Sequence, residues 1–147
     1  AYAEVKSDKW SKIMTAYAIN HNDNLLHKAL RGNSIFSVLS GIILIVDAGM
    51  LADFMGIGST LPFIVIGIGL LLHAANLFLN TRNRPVSKGF GWFAIIGDLA
   101  WVAATAVILL TDAFSITGGG KWLLLIIGDV VLLFAIAQYL GIRRMNR

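Results

Sequence analysis

The sequence predicts an all-α membrane protein, on three observations. Of 147 residues, 57% are hydrophobic and 14% charged, where soluble domains carry roughly 25% charged residues. Four apolar stretches are each long enough to cross a bilayer, since about 20 helical residues span a hydrocarbon core of about 30 Å. The basic residues collect in alternate connections between those stretches, the pattern that fixes orientation in a membrane. Together they give a polytopic membrane protein: an antiparallel four-helix transmembrane bundle with an N-terminal amphipathic helix. Residues 1–31 read as a cytoplasmic interfacial segment, 32–142 as the transmembrane domain and 143–147 as a basic cytoplasmic tail.

In the first segment Trp10, Ile13, Met14, Tyr17 and Ala18 recur at helical spacing, with Lys6, Lys9 and Lys12 on other faces and Ser7 as N-cap. Such a helix lies on a membrane surface, its lysines against anionic lipid; a partly ordered tail is the alternative. The His-Asn-Asp-Asn run at His21–Asn24 breaks it, and Asn22 or Asn24 caps the next helix.

The first span runs from about Asn33 to Leu51. Asn33, Ser37, Ser40 and Gly41 share one face, and Ser37 with Gly41 forms a small-xxx-small pair that admits a neighbouring helix closely. Asp47 lies near its far end. A short turn over residues 52–60 leads to Pro62, placed where a helix start tolerates proline. The second span, about Leu61 to Asn80, carries the stripe Pro62, Ile66, Gly69, His73, Asn76 and Asn80, which is expected to look into the bundle.

After the basic loop Thr-Arg-Asn-Arg-Pro-Val-Ser-Lys-Gly comes the third span, Phe90 to Leu110. Asp98 lies about ten residues in, roughly 15 Å deep at about 1.5 Å per residue. Its stripe is Gly91, Ala94, Asp98, Trp101 and Thr105, and Ala100 with Ala104 is a second close-packing pair. The glycines Gly118–Gly120 are expected to stop the helical run before the fourth span, Trp122 to Gly141. Trp10, Trp92 and Trp122 read as interfacial anchors.

Five Lys and Arg precede the first span, none lie in the first loop, three in the second, one in the third and three in the tail. The positive-inside rule then puts both termini in the cytoplasm, and short loops make sequential helices antiparallel neighbours.

The sequence Ile-Ile-Gly-Asp occurs at Ile95–Asp98 and again at Ile126–Asp129. On helices of opposite direction both carboxylates fall near the bilayer midplane. Asp98, Asp129 and His73, with Asn76 and Trp101 in register, therefore form the candidate intramembrane site. Two carboxylates at low dielectric cannot both ionise cheaply, and a histidine could share the proton. Such a group relays protons, binds a cation or holds a cationic ligand. The competing reading is that the acids only fix helix register through hydrogen bonds.

No span carries paired ligand spacing such as HxxxH, so no metal is expected. The absence of cysteine removes disulfides and thiolate ligands. Gly67 and Gly69 are packing glycines, Gly118–Gly120 lack the context of a phosphate loop, and no nucleophile–base pair is legible. Neither a cofactor nor an enzymatic reaction is expected. The surplus of positive charge flanks apolar spans and suits anionic lipid, not nucleic acid.

Arg31-Gly-Asn33 running to Phe36-Ser37 and Ser40-Gly41, Asp98 to Trp101-Val102, and Asp129 through Phe134, Gln138 and Gly141 to Arg143-Arg144 resemble an uncharacterised family of small bacterial four-span integral membrane proteins. The similarity covers most of the chain after Leu26. It implies a bacterial inner (cytoplasmic) membrane and draws attention to Asn33, Asp98, Trp101, Asp129 and Gln138 without assigning a role.

The sequence therefore predicts a non-enzymatic accessory or interaction subunit that works through helix packing, with Asn33, Ser37, Gly41 and Gln138 as packing polar residues, in a homo-oligomer or larger membrane complex. The alternative is a proton- or cation-coupled carrier or channel using Asp98 and Asp129.

Overall fold

The computed structural model describes residues 2–22 and 24–146, and side-chain surroundings over 6–17 and 24–146. Six helices and no strands occur among them: α1 Tyr2–Asn22, α2 Asn24–Val46, α3 Ala48–Met55, α4 Leu61–Asn80, α5 Lys88–Thr111 and α6 Gly118–Met145. Helices α2, α4, α5 and α6 are long and apolar enough to cross a membrane.

Helix α1 differs from expectation in two details. It already runs through Ser7, so Ser7 is an interior residue and not a cap. Continuous helix also sets Lys6 one turn before Trp10, on the side of the apolar stripe and not opposite it. Trp10, Ile13, Met14 and Tyr17 are exposed. The side chains of Ala18, His21 and Asn22, and the whole of Asp23, lie outside the described residues.

Helix α2 begins at Asn24, well before Asn33, and ends at Val46 instead of Leu51. Asn24 is itself helical. Leu26, Ala29 and Leu30 are buried there, and tertiary packing carries the helix through Lys28 and Arg31 despite their charge. At Asp47 the chain turns into the short helix α3 in place of a plain loop. That helix buries Ala48, Ala52 and Met55 and ends on Gly56, whose φ of 73° is the left-handed conformation glycine adopts without strain.

The glycine run starts a helix where the sequence suggested a stop. Gly118 is the first residue of α6, and Thr117 caps it by accepting from the Gly120 amide at 3.1 Å. The same Thr117 donates its hydroxyl to the Phe54 carbonyl at 2.7 Å, and its amide to the Met55 carbonyl at 3.1 Å. A Cβ on Gly119 would collide with the Phe54 ring, and one on Gly120 would collide with Ile116 and press on Met55. Close approach of α3 and of the loop before α6, not helix termination, explains Gly119 and Gly120; a Cβ at Gly118 meets nothing within 4 Å.

Packing follows the chain from α4 to α2 to α6 to α5. Along α2 and α4, His27 Nε2 donates to the Thr81 carbonyl just beyond α4 at 3.0 Å, Ser34 Oγ to the Ala74 carbonyl at 2.9 Å, and Gly41 meets Gly67 backbone to backbone. Gly41 thus pairs across the interface with Gly67. Helices α2 and α6 touch through Gly141 against the backbone of Leu26 and through the rings of Phe36 and Phe134, 5.8 Å apart. Helices α5 and α6 meet at Gly91 with Ile142 and at Trp92 with Tyr139, in T-shaped contact at 6.0 Å. Helices α4 and α5, although consecutive, share no extended packing surface.

Two apolar clusters hold the ends. Leu26, Leu30, Leu77, Val86, Ala94, Ile95 and Ile142 join the start of α2, the end of α4, its loop, the start of α5 and the end of α6. Ala48, Ala52, Met55, Phe63 and Ile116 join α3 to the start of α4 and the loop before α6.

Gly141→Ala is predicted to destabilise the protein, because its Cβ would lie 2.6 Å from the Leu26 amide nitrogen, and overpacking of this kind costs about 1–3 kcal/mol. Gly69→Ala, where a Cβ meets nothing within 4 Å, keeps or raises stability through helix propensity. Thermal unfolding of both variants in one detergent checks the order; an unaltered melting temperature for Gly141→Ala would contradict the packing of α2 on α6.

Candidate functional site

Asp98 lies ten residues into the 24-residue α5, close to its middle, and is 5% exposed. Burial of a carboxylate at that depth requires partners, and two amides supply them. Asn33 Nδ2 on α2 donates to both carboxylate oxygens, at 3.0 Å to Oδ1 and 2.8 Å to Oδ2. Gln138 Nε2 on α6 donates to Oδ2 at 2.8 Å. Ser37, one turn along α2, donates to Asn33 Oδ1 at 3.3 Å, which holds that side-chain amide with its nitrogen toward Asp98. Asn33, Ser37 and Gln138 are all buried.

From α4, His73 brings Nε2 to 3.9 Å from Asp98 Oδ1. That exceeds hydrogen-bond distance, and the imidazole is about a quarter exposed. The carboxylate thus accepts two hydrogen bonds at Oδ2 and one at Oδ1, all from neutral donors, with a histidine close beside Oδ1.

These residues mark a boundary. The first apolar cluster lies on one side of them in all four spans: Leu26 and Leu30 before Asn33, Leu77 after His73, Ala94 and Ile95 before Asp98, and Ile142 after Gln138. On the other side is a cavity of about 670 Å³ extending toward α3. Asn33, Ser37, His73 and Asp98 line it, as do Phe36 and Trp101, and its remaining wall is almost wholly apolar. Exposed Ile66 and Gly69 of α4 and Gly97 of α5 border it, so it opens through the gap those two helices leave.

Of the sequence candidates, Asp98, His73 and Trp101 come together here. Asp129 does not: it is exposed on the outer face of α6, across the helix from the buried Val131 and Gln138. The expected matched depth does not hold either: Asp98 is level with Gln138, whereas Asp129 follows Gly128, which is level with Thr105, so at about 1.5 Å per residue the two acids stand roughly 10 Å apart along the bundle as well as on different faces. Asn76 is also elsewhere, exposed, with its side-chain oxygen accepting from Asn80 Nδ2 at 2.7 Å. The α4 stripe divides accordingly: Pro62, Ile66, Gly69 and His73 face the cavity, whereas Asn76 and Asn80 face outward. Asn33 and Gln138, expected as packing residues, turn out to be the hydrogen-bond donors of the site. The usable signal was the flanking charge: Asn33, Asp98 and Gln138 each lie toward the end of their span that Arg31, Lys88 or Arg143 marks.

Among the described residues no three His, Cys, Asp or Glu side chains converge as a metal site. No family model, curated protein or solved structure matches this chain.

Proposed function

We propose that this chain is a non-enzymatic integral membrane protein whose cavity binds a small lipophilic molecule drawn from the bilayer between α4 and α5. The cavity carries this reading. Its volume of about 670 Å³ lies within the 300–1,000 Å³ of small-molecule sites, and an apolar wall with a few convergent polar groups is their usual make-up. A group needed only for register would be surrounded by packed side chains; Asp98 instead borders open space.

The setting belongs to the same proposal: an antiparallel four-helix transmembrane bundle in a bacterial inner membrane, both termini cytoplasmic, its basic residues against anionic lipid. The pairs His27 with Thr81, Ser34 with Ala74 and Gly41 with Gly67 run in opposite chain senses and support that arrangement of α2 and α4. Cysteine introduced at Arg84 is expected to react with an impermeant reagent only after cells are opened; labelling from outside would reverse the orientation.

The accessory-subunit reading has one observation in its favour. Asp129 projects outward eleven residues into the 28-residue α6, where an acid facing lipid is costly, and a neighbouring membrane helix would shield it. Asp129→Leu is then expected to reduce the size of the assembly purified in mild detergent. An assembly of equal size in both forms would remove this reading and leave the cavity untouched.

The cavity is tested with dodecanol, a neutral lipophile. A ligand bound only by the folded state stabilises it by about 2.7 kcal/mol at a hundredfold excess over Kd, so dodecanol should raise the melting temperature of nanodisc-embedded protein saturably. Gly69→Leu with Gly97→Leu should abolish the rise, because both positions line the cavity and have room for a side chain. No saturable rise in the native protein, or an equal rise in the filled variant, would refute binding there.

A further inference from the structure

We propose that the bound molecule carries a protonated amine, seated on Asp98 Oδ1 and His73 Nε2, with its hydrocarbon chain lying in the cavity toward α3. This rests on the reading of the cavity as a lipophile site and names the chemistry of the occupant.

The hydrogen-bond inventory of Asp98 is the first ground. An ionised carboxylate offers about four acceptor positions, and the protein fills two at Oδ2 but one at Oδ1. The donors are neutral amides, so they orient the carboxylate and leave its charge to be balanced. The second ground is the position of His73. Its Nε2 is too far from Oδ1 for a direct bond at 3.9 Å, yet 3.9 Å is less than two successive hydrogen bonds of about 2.8 Å each. One nitrogen can therefore lie within bonding distance of both atoms. An ammonium has three N–H donors: one for the carboxylate, one for a neutral imidazole. Both acceptors line the cavity.

The wall supplies the rest. Trp101 follows Asp98 by one helical turn and Phe36 follows Asn33 likewise, and both line the cavity; aromatic faces attract cations. Beyond them the wall consists of side chains such as Leu44, Ile108 and Leu124, which fit a hydrocarbon chain and nothing charged. A phospholipid amine is disfavoured because it would bring its phosphate close to the Asp98 carboxylate, like charge against like, and among the described residues the basic group recorded beside that carboxylate is His73. A carboxylate ligand would meet like charge. A single-chain amine, protonated near neutral pH as the lysine amine is, matches both Asp98 Oδ1 and His73 Nε2 and leaves its chain to the apolar wall.

The test compares dodecylamine, dodecanol and dodecanoate, with equal chains and different heads, by melting temperature in nanodiscs. Dodecylamine is expected to bind at least tenfold more tightly than dodecanol, and dodecanoate more weakly than either. Asp98→Asn should bring dodecylamine down to the affinity of dodecanol while dodecanol binding persists, which also certifies that the variant is folded. The ligand series on the native protein stands without the variant. Equal affinity of amine and alcohol would overturn the amine assignment and leave the cavity reading intact; binding of none of the three would remove both. Displacement of dodecylamine by ethanolamine phospholipid, but not by choline phospholipid, would transfer the site to a lipid headgroup and overturn the free amine.

Discussion

The Asp98 carboxylate is the point at which α2, α5 and α6 are held to one another by polar contact, through the amides of Asn33 and Gln138. Each partner is a costly group to bury alone, and the three are affordable only together. Because the donors come from different helices, the hydrogen bonds set the relative translation of all three along the membrane normal. Close backbone contacts such as Gly141 on Leu26 add to this register, whereas plain leucine surface contributes little to it because lipid competes for it equally. The Ser37 hydroxyl then removes the remaining freedom by fixing which way the Asn33 amide faces.

This polar layer also divides the interior. On the side of the chain termini, Leu26, Leu30, Leu77 and Ile142 close on one another, and Gly91 and Gly141 let the backbones approach. On the α3 side the same helices enclose open volume. What prevents collapse there is the second apolar cluster, in which α3 is wedged between the start of α4 and Ile116 and tied to Thr117. With both ends clamped, the middle of α4 need not meet the middle of α5.

The spans themselves were legible because hydropathy and length are set by the bilayer and not by tertiary contacts. Asp98 was legible because a lone acid in an apolar run has few explanations. What the sequence misassigned has a common cause. In a membrane the outside of a bundle is as apolar as its core, so periodicity shows that Asp129 and Asn76 stand on stripes without showing which way those stripes turn. The repeated Ile-Ile-Gly-Asp made Asp98 and Asp129 look equivalent, yet only Asp98 has amides opposite it. The early start of α2 and the role of Gly119 depended on neighbours distant in sequence, Leu26 on Gly141 and Phe54 on Gly119, which no local pattern reveals.

The missing contact between α4 and α5 has a mechanical consequence. In a closed ring of helices, squeezing the perimeter is resisted by side chains already in contact. Here the row α4–α2–α6–α5 is an open spring, clamped at top and bottom and unsupported across its waist. Lateral pressure in the hydrocarbon region therefore acts directly on the width of the slot. The volume within this protein is in that sense a property shared with its bilayer.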